Sequence, residues 1–269
     1  MSEQNNGKKT SGKEIAALIM LFAAAALLIV FELMEINFTG DRLKDGMLKE
    51  LLTRLPTGVI FTVITILLGN GKFFIPSFKD FRKRLLWCLP CILVVLANFP
   101  WYAVISGGAR VERTDLVWLF ALKCVSVGFM EEILFRGLLQ PTVDDFFRQK
   151  KYRNILTVAV TSAIFGLFHL FNLFAGAGVG ETFLQAGYSF LIGAMLSAVL
   201  IKTQNIWLCV ILHAVFNFGG NLIPELGAGV FQDACFWVLT AVAGVICFIH
   251  VLYFLLKKEN PYCHSERTK

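Results

Sequence analysis

The chain has 269 residues, of which 57% are apolar and only 16% are charged, and its formal net charge is +6. Soluble domains carry about 25% charged residues, so this composition argues against an ordinary soluble globule and excludes disordered, collagen-like and disulfide-stapled secreted chains. It favours an all-α, polytopic membrane protein, a bundle of about eight transmembrane helices.

Eight apolar stretches are predicted to cross the membrane, because most reach the roughly 17–25 residues that a helix needs to span about 30 Å of hydrocarbon. In chain order they are 15–33, 53–69, 85–105, 116–139, 155–174, 184–201, 206–223 and 235–256. The sequence therefore predicts a single transmembrane domain over 15–256. The polar end segments, 1–14 and 257–269, are expected to be a disordered N-terminus and a short tail.

The positions of the basic residues predict the orientation of this bundle. If the N-terminus is cytoplasmic, 17 of the 25 Lys and Arg residues fall on the cytoplasmic side and six fall in outer loops, Arg54 among these six. The other two, Lys123 and Arg136, lie inside the fourth span. This asymmetry is what the positive-inside rule describes, so both termini are predicted to be cytoplasmic. The basic residues are explained by lipid headgroups, and no nucleic-acid partner is expected.

Seven cysteines lie almost entirely within apolar runs, at positions 88, 91, 124, 209, 235, 247 and 263. Their number is odd and their spacing irregular, which does not support a disulfide framework. Cys88 and Cys91 have the spacing of a redox or zinc motif, but no second pair accompanies them. We interpret the cysteines as small buried apolar residues.

The fourth span carries three charges at membrane depth, Glu131, Glu132 and Arg136. Each costs about 2.5–3.5 kcal/mol at a helix centre even on lenient insertion scales. Glu132 and Arg136 lie four residues apart on one helical face and can neutralise each other. Glu131 points about 100° away and has no such partner, which makes it a candidate functional carboxylate.

Two later spans add further polar residues. The fifth carries Phe165 and His169, four residues apart, and the seventh carries His213 and Asn217, again four apart. Taken singly, His169 is better explained as a satisfied core residue, and His213 with Asn217 is equally well explained by hydrogen bonds between helices. However, Glu131, His213 and Asn217 lie at similar depths, about 11–16 Å from the cytoplasmic end of their spans. His169 fits less well, at about 21 Å. We expect one shared, water-accessible cavity.

These residue types favour amide hydrolysis by an activated water molecule. A desolvated glutamate can serve as general base, a histidine beside it can hold the water or pass a proton, and a second histidine with an asparagine can donate to an oxyanion. Glu131, His169 and His213 could alternatively bind zinc, although the His-Glu-x-x-His signature is absent.

In order and type, Glu131-Glu132-x-x-x-Arg136, Phe165-x-x-x-His169 and His213-x-x-x-Asn217 resemble the three motifs of the CAAX-protease and bacteriocin-processing family, also called the Abi family. That family includes the Ras-converting CAAX endopeptidases. The resemblance covers about 116–223, the motif-bearing core.

The resemblance implies an eight-helix intramembrane endopeptidase whose site opens to the cytoplasmic side. By the family pattern, Glu131 activates water together with His169, and His213 and Asn217 stabilise the oxyanion. Glu132, Arg136 and Phe165 have supporting roles. The family has been labelled metalloprotease, but the glutamate mechanism needs no metal, and we favour a site without a cofactor.

The expected substrate is a peptide or protein at the membrane, of the CAAX or the bacteriocin type. The protein is expected in the cell membrane, or in the endoplasmic reticulum membrane of a eukaryote. Two other functions compete with the protease: a non-catalytic immunity or scaffold protein, whose polar residues only join helices, and a proton-coupled transporter, whose glutamate and histidines relay protons.

Overall fold

The computed structural model describes residues 36–75, 80–174 and 176–259 continuously, and ten separate positions between 12 and 34. The first predicted span, 15–33, lies for the most part outside the described residues. So do the predicted end segments, 1–14 and 257–269, apart from Gly12 and the last helical turn up to Glu259. The division into a transmembrane domain and two polar ends therefore stays a prediction.

The described chain is almost entirely helical. The α-helices are α1 (Arg42–Thr65), α2 (Phe81–Trp87), α3 (Leu89–Ala97), α4 (Trp101–Ile105), α5 (Val117–Glu132), α6 (Gln140–Phe146), α7 (Arg153–Phe168), α8 (Val179–Thr203), α9 (Ile206–Leu226) and α10 (Ala234–Glu259). Wider π-helical segments cover Ile66–Asn70 and Ile133–Leu139, and tighter 3₁₀ segments cover Gly71–Phe74, Thr114–Leu116 and His169–Leu173. Two short strands complete the fold, β1 (Ala109–Val111) and β2 (Gly227–Gly229).

Several of these helices are suited to a bilayer. Within the described part of the chain, five helical segments are long and apolar enough to cross it: Arg42–Phe74, Arg153–Leu173, Val179–Thr203, Ile206–Leu226 and Ala234–Lys257. The predicted all-α membrane bundle is thus confirmed, and the chain is an integral membrane protein. The fourth predicted span, 116–139, is helical throughout but too charged to belong to this set. The count of eight and the cytoplasmic side of the termini stay predictions.

Two predicted boundaries are wrong. The stretch 85–105 is not one helix, because it is divided among α2, α3 and α4. Pro90 lies in the first turn of α3 and Pro100 lies directly before α4, and proline fits these positions because its missing N–H is not needed there. The second helix begins at Arg42 instead of 53, capped by Asp41, whose carboxylate accepts from the N–H groups of Leu43 and Lys44.

The apolar core lies where α5, the π-helical segment after it, α8 and α9 meet. Met130, Phe135, Leu196 and Ile206 are completely buried there. The opposite faces of the outer helices expose large apolar side chains, such as Phe248 in α10, which suits contact with lipid. Lipid tails are as apolar as these core side chains, so the hydrophobic effect does not drive the helices together within the bilayer. Their association depends on close packing between the helices.

A two-stranded ribbon ties the start of α5 to the end of α9. β1 and β2 pair antiparallel, with Arg110 opposite Ala228, and the backbone N–H groups of Glu112 and Arg113 both donate to the Leu226 carbonyl. Gly229 has φ +106°, and a side chain there would collide with the Gly108 carbonyl. The ribbon fixes the two helices that carry two of the three sequence motifs.

Candidate active site

The four predicted catalytic residues line one cavity of about 560 Å³. Glu131 comes from α5, His169 from the end of α7, and His213 and Asn217 from α9. The cavity is also lined by the predicted supporting residue Phe165, whereas Glu132 and Arg136 lie buried behind it. The shared cavity expected from residue depth is therefore present, although this does not test the chemical role of any residue.

Glu131 and Glu132 are the last two residues of α5, at the point where the helix widens into its π-helical segment. Such single-turn widenings are frequent at functional sites. Arg136 lies within the π-helical segment, and its Nε is 3.1 Å from Glu132 Oε2. The predicted ion pair is confirmed. It is completely enclosed, since Glu132 and Arg136 are 0% and 1% exposed.

His213 lies between the two glutamates. Its Nδ1 is 2.7 Å from Glu132 Oε1, a hydrogen bond in which the ring donates because the carboxylate of an ion pair only accepts. Its Nε2 is 3.7 Å from Glu131 Oε2 and faces the cavity. Glu132 therefore fixes which ring nitrogen of His213 is turned towards Glu131.

His169 lies at the change from α7 to its 3₁₀ end. Its backbone N–H is bonded to the carbonyls of Gly166 and Leu167, so it does not close an α-helical turn onto Phe165. The ring takes that place, with Nδ1 2.9 Å from the Phe165 carbonyl oxygen. A carbonyl only accepts, so Nδ1 carries the proton and Nε2 is left as the basic nitrogen of the neutral ring.

Phe165 holds the histidines and the buried arginine in place. Its ring meets His169 at 5.0 Å and His213 at 5.9 Å between centroids, both edge to face. On its other side, the guanidinium carbon of Arg136 lies 4.5 Å from the ring centre. Phe165 therefore contacts both histidines and Arg136, and its supporting role stays a prediction.

Glycines let these helices approach closely. A side chain at Gly128 in α5 would lie 3.2 Å from backbone atoms of Val210 and Ala214 in α9. A side chain at Gly166 in α7 would lie 2.7 Å from the Ala186 carbonyl in α8. Small residues at such crossings are typical of membrane helices. The glycine at 128 brings α9 near enough to α5 for His213 to reach both glutamates.

Sequence reasoning missed the charged residues of α1 at this site. The Lys/Arg count assigns Arg54 to an outer loop, but Arg54 lies inside α1, and its Nη1 is 3.6 Å from Glu131 Oε1. Glu131 therefore has a charged partner from another helix. The signal in the sequence was Glu50, Arg54 and Gly58, which recur every four residues and so share one helical face.

The charges continue from Arg54 towards the mouth of the cavity. Arg54 Nε lies 3.3 Å from Glu50, and Lys123 Nζ lies 2.9 Å from Glu50 and 2.7 Å from Glu225. We call these residues with Glu131 the charge chain; its members are Glu131, Arg54, Glu50, Lys123 and Glu225. All five line the cavity. Carboxylates outnumber cations by one, so the chain carries a formal charge of −1.

The cavity leads to the end of the bundle that holds Gly176 and Glu225. The Lys/Arg count predicts that this end is the outer one, whereas the family resemblance implies a cytoplasmic opening. The two expectations therefore disagree. The cavity reaches one end of the bundle. Whether this end faces outwards or the cytoplasm follows from the orientation of the chain in the membrane.

The residues do not form a recognisable metal centre. Among the described residues, no group of three or more His, Cys, Asp or Glu side chains is arranged to hold a metal ion. In the alternative zinc site of Glu131, His169 and His213, Nδ1 of both histidines is engaged, by Phe165 and Glu132, so Nε2 is the nitrogen that would bind a metal.

Comparison with known proteins bears on this site directly. Residues 113–219 match the family model described as type II CAAX prenyl endopeptidase Rce1-like. The family resemblance is confirmed. The match begins just before α5 and ends within α9, so it contains all three motifs and every residue proposed for catalysis. No curated protein and no solved structure matches the chain.

The matched segment is about two fifths of the chain and supports a CAAX-type intramembrane protease at the level of the family. Arg54 and Glu50 in α1 and Glu225 near the end of α9 lie outside it. Two members of the charge chain, Glu131 and Lys123, thus lie within the matched segment, and the other three lie outside it.

Proposed function

We propose that the protein is an intramembrane endopeptidase that hydrolyses a peptide bond of a lipid-anchored substrate by a glutamate-activated water molecule. The observation that carries this proposal is the convergence of Glu131, His169, His213 and Asn217 on one cavity. The family match supports a CAAX-type reaction. Each of these four residues supplies a group that amide hydrolysis needs.

Glu131 is the proposed general base. It is only 6% exposed, and the nearest nitrogens of Arg54 and His213 lie 3.6 and 3.7 Å away. Both distances are longer than a hydrogen bond, so the carboxylate is held by charge while its lone pairs stay available to accept a proton. A water molecule between Glu131 and the basic Nε2 of His169 would be deprotonated as it attacks the substrate carbonyl.

His213 and Asn217 are the proposed oxyanion donors. They lie one turn apart on α9 and both face the cavity. The Asn217 side chain makes no hydrogen bond within the described part of the chain, so its N–H groups can point to the oxyanion. His213 can donate from Nε2 only while Nδ1 also carries its proton, because Glu132 accepts from Nδ1. We assign the imidazolium form to the reacting state.

An apolar groove beside the site favours a substrate with a lipid anchor. The groove has a volume of about 720 Å³ and runs between α7, α8 and α10, with Leu191, Phe236 and Phe248 among its walls. Tyr188, Ile192, Phe216, Asn217 and Asn221 line both this groove and the catalytic cavity. A chain lying in the groove would thus place an attached peptide beside Asn217.

The proposal is tested with purified protein in detergent micelles or liposomes. The probes are a farnesylated peptide ending in a CAAX sequence and the same peptide carrying an acyl chain. We expect cleavage of the farnesylated probe, and Glu131→Gln should abolish it because the amide cannot accept the proton. The matched control is Glu181→Gln, since Glu181 is exposed at the start of α8 and does not line the cavity.

Cleavage by folded Glu131→Gln at the wild-type rate would contradict the glutamate mechanism. Absence of cleavage by the wild type, with partner binding unchanged in Glu131→Gln and His169→Ala, would instead support the scaffold or immunity function. Proton-coupled flux in liposomes without cleavage would support the transporter. Cleavage of the acylated probe but not the farnesylated one would indicate that the substrate is an acylated peptide and not a CAAX-type one.

A further inference from the structure

We propose that Arg54 is a positioning residue for Glu131: its positive charge keeps the carboxyl group ionised and turned towards the reacting water molecule. This inference rests on the proposed function and deepens it. It assigns a role in the active site to α1, which lies outside the family-like segment and outside all three sequence motifs.

The first argument is the placement of Arg54. Its guanidinium points into the cavity and lies between two carboxylates, 3.6 Å from Glu131 and 3.3 Å from Glu50. Its side chain is only 18% exposed. Its Nε is buried and makes no hydrogen bond, so the ion pairs are the interactions that hold the group there. A cation at this depth costs free energy unless carboxylates neutralise it.

The second argument is the close crossing of α1 and α5, which brings Arg54 next to Glu131. Gly58 lies one turn after Arg54, and a side chain there would come within 2.6 Å of the Phe129 ring and 3.2 Å of the Met130 Cα. These residues directly precede Glu131. The glycine therefore brings α1 against the last turn of α5, which places the Arg54 side chain next to the Glu131 carboxylate.

The third argument is electrostatic. Glu132 and Glu50 surround Glu131 with negative charge, and burial itself disfavours a charged carboxylate. Arg136 is paired with Glu132, and Lys123 is shared between Glu50 and Glu225. Arg54 is the arginine that pairs with Glu131, at 3.6 Å. The titratable and charged groups that line the cavity with Glu131 are Glu50, Arg54, Lys123, Cys124, His169, Tyr188, His213 and Glu225, and Glu132 lies behind it, bonded to His213.

The test compares pH–activity profiles of the full-length protein in liposomes. In Arg54→Gln, the acidic limb of cleavage should move to higher pH by about one unit or more, because the ionised base has lost the arginine paired with it. Arg54→Lys keeps the charge and should restore most of the wild-type profile. Glu50→Gln removes a carboxylate that competes for Arg54, so its acidic limb should move the opposite way, to lower pH.

A second measurement follows Glu131 itself and does not need activity. A hydrophobic carbodiimide modifies protonated carboxyl groups in apolar surroundings, and peptide mass spectrometry identifies the modified residue. At neutral pH, the modified fraction of Glu131 should be several-fold higher in Arg54→Gln than in the wild type. The matched control is Arg110→Gln, because Arg110 is paired with Glu112 but is 79% exposed and lies outside the cavity.

Each result has a defined meaning. Equal lowering of cleavage at all pH values by Arg54→Gln and Arg54→Lys, with unchanged modification of Glu131, would overturn the inference and leave a packing role. If Arg54→Gln does not fold, an unshifted limb in Glu50→Gln would overturn it. Retained cleavage by Glu131→Gln would instead contradict the proposed glutamate mechanism. In that case, the carbodiimide measurement on the wild type and Arg54→Gln would still test whether Arg54 controls the charge of Glu131.

Discussion

The imidazole of His213 donates a hydrogen bond of 2.7 Å to Glu132, from α9 to the end of α5. Glu132 also faces Arg136 at 3.1 Å, so one buried carboxylate serves two partners. A residue next to the proposed base therefore orients the proposed oxyanion donor. This relationship explains why both members of the Glu131–Glu132 pair matter, although only Glu131 lines the cavity.

Replacing Glu132 should be costly for stability. Glu132→Gln leaves Arg136 as a buried, uncompensated charge, and breaking one partner of such a pair costs about 3–5 kcal/mol. We expect a markedly lower melting temperature in detergent and loss of cleavage. The double variant Glu132→Gln with Arg136→Met should regain part of the stability but not the activity, because His213 still lacks its carboxylate. Equal melting temperatures for the two variants would contradict this account.

The crossing of α5 and α9 should be sensitive to the size of residue 128. Gly128→Val would push the helices apart, since even a Cβ atom would lie 3.2 Å from the backbone of α9. We expect lower thermal stability and at least a tenfold loss of cleavage, because His213 moves away from Glu131. Gly187→Ala is the matched control: it lies in α8 with nothing within 4 Å, so it should be neutral or slightly stabilising. Similar losses in both variants would argue against the helix crossing as the cause.

Metal removal should not affect the proposed cleavage. The proposed reaction uses Glu131 and His169 to activate water, and no described group of ligands is arranged for a metal ion. We therefore expect the cleavage rate to be unchanged after dialysis against a strong chelator, and elemental analysis to find no stoichiometric zinc. Loss of cleavage that returns when zinc is added would instead favour the alternative ligand set of Glu131, His169 and His213.

An acid-sensitive ion network lies outside the spans, at the end of the bundle where α1 begins. Arg113 Nη2 lies 2.6 Å from Asp41 and 2.9 Å from Asp115. These hydrogen bonds lower the pKa of both carboxyl groups below their usual values, while the same contacts raise the pKa of Arg113. A lowered carboxyl pKa contributes stability that is present above about pH 4 and is lost as the pH falls through the folded value.

Arg113→Gln should thus lower the melting temperature at pH 7, and its effect should shrink as the pH falls below about 4, because protonation of the carboxyl groups removes their interactions with Arg113. Thermal unfolding in detergent across this pH range measures the difference. Arg110→Gln, which removes a more exposed pair, should show a smaller difference. A difference for Arg113→Gln that does not change with pH would exclude the network as its source.

The orientation of the cavity can be measured directly. The Lys/Arg count predicts that the end holding Gly176 and Glu225 faces outwards. A cysteine at Val230, which follows β2 at this end and is 72% exposed, should then react with a membrane-impermeant maleimide added to intact cells. Reaction only after the membrane is permeabilised would reverse the predicted orientation and agree with a cytoplasmic opening.

The local pattern of the sequence was enough to predict the membrane class and the motif residues. Apolar runs of helical length and charges placed within them are properties of neighbouring residues along one helix. The same local logic predicted the pair Glu132 and Arg136, because residues four apart on a helix share a face. It also predicted a common cavity for Glu131, His213 and Asn217 from depth along the helix axis, and His169, whose depth fitted less well, lines the same cavity.

The partner of Glu131 could be decided only by the tertiary structure. Arg54 is 77 positions away in sequence, and its distance from Glu131 depends on how α1 crosses α5 at Gly58. The hydrogen bond from His213 to Glu132 likewise depends on the close approach at Gly128, and the proton position on His169 depends on the change of α7 to a 3₁₀ turn. Helical periodicity determines which residues share a face, but it contains no information on which face of another helix they meet. Packing between helices supplies that information, and here it determines the electrostatic environment of the proposed base.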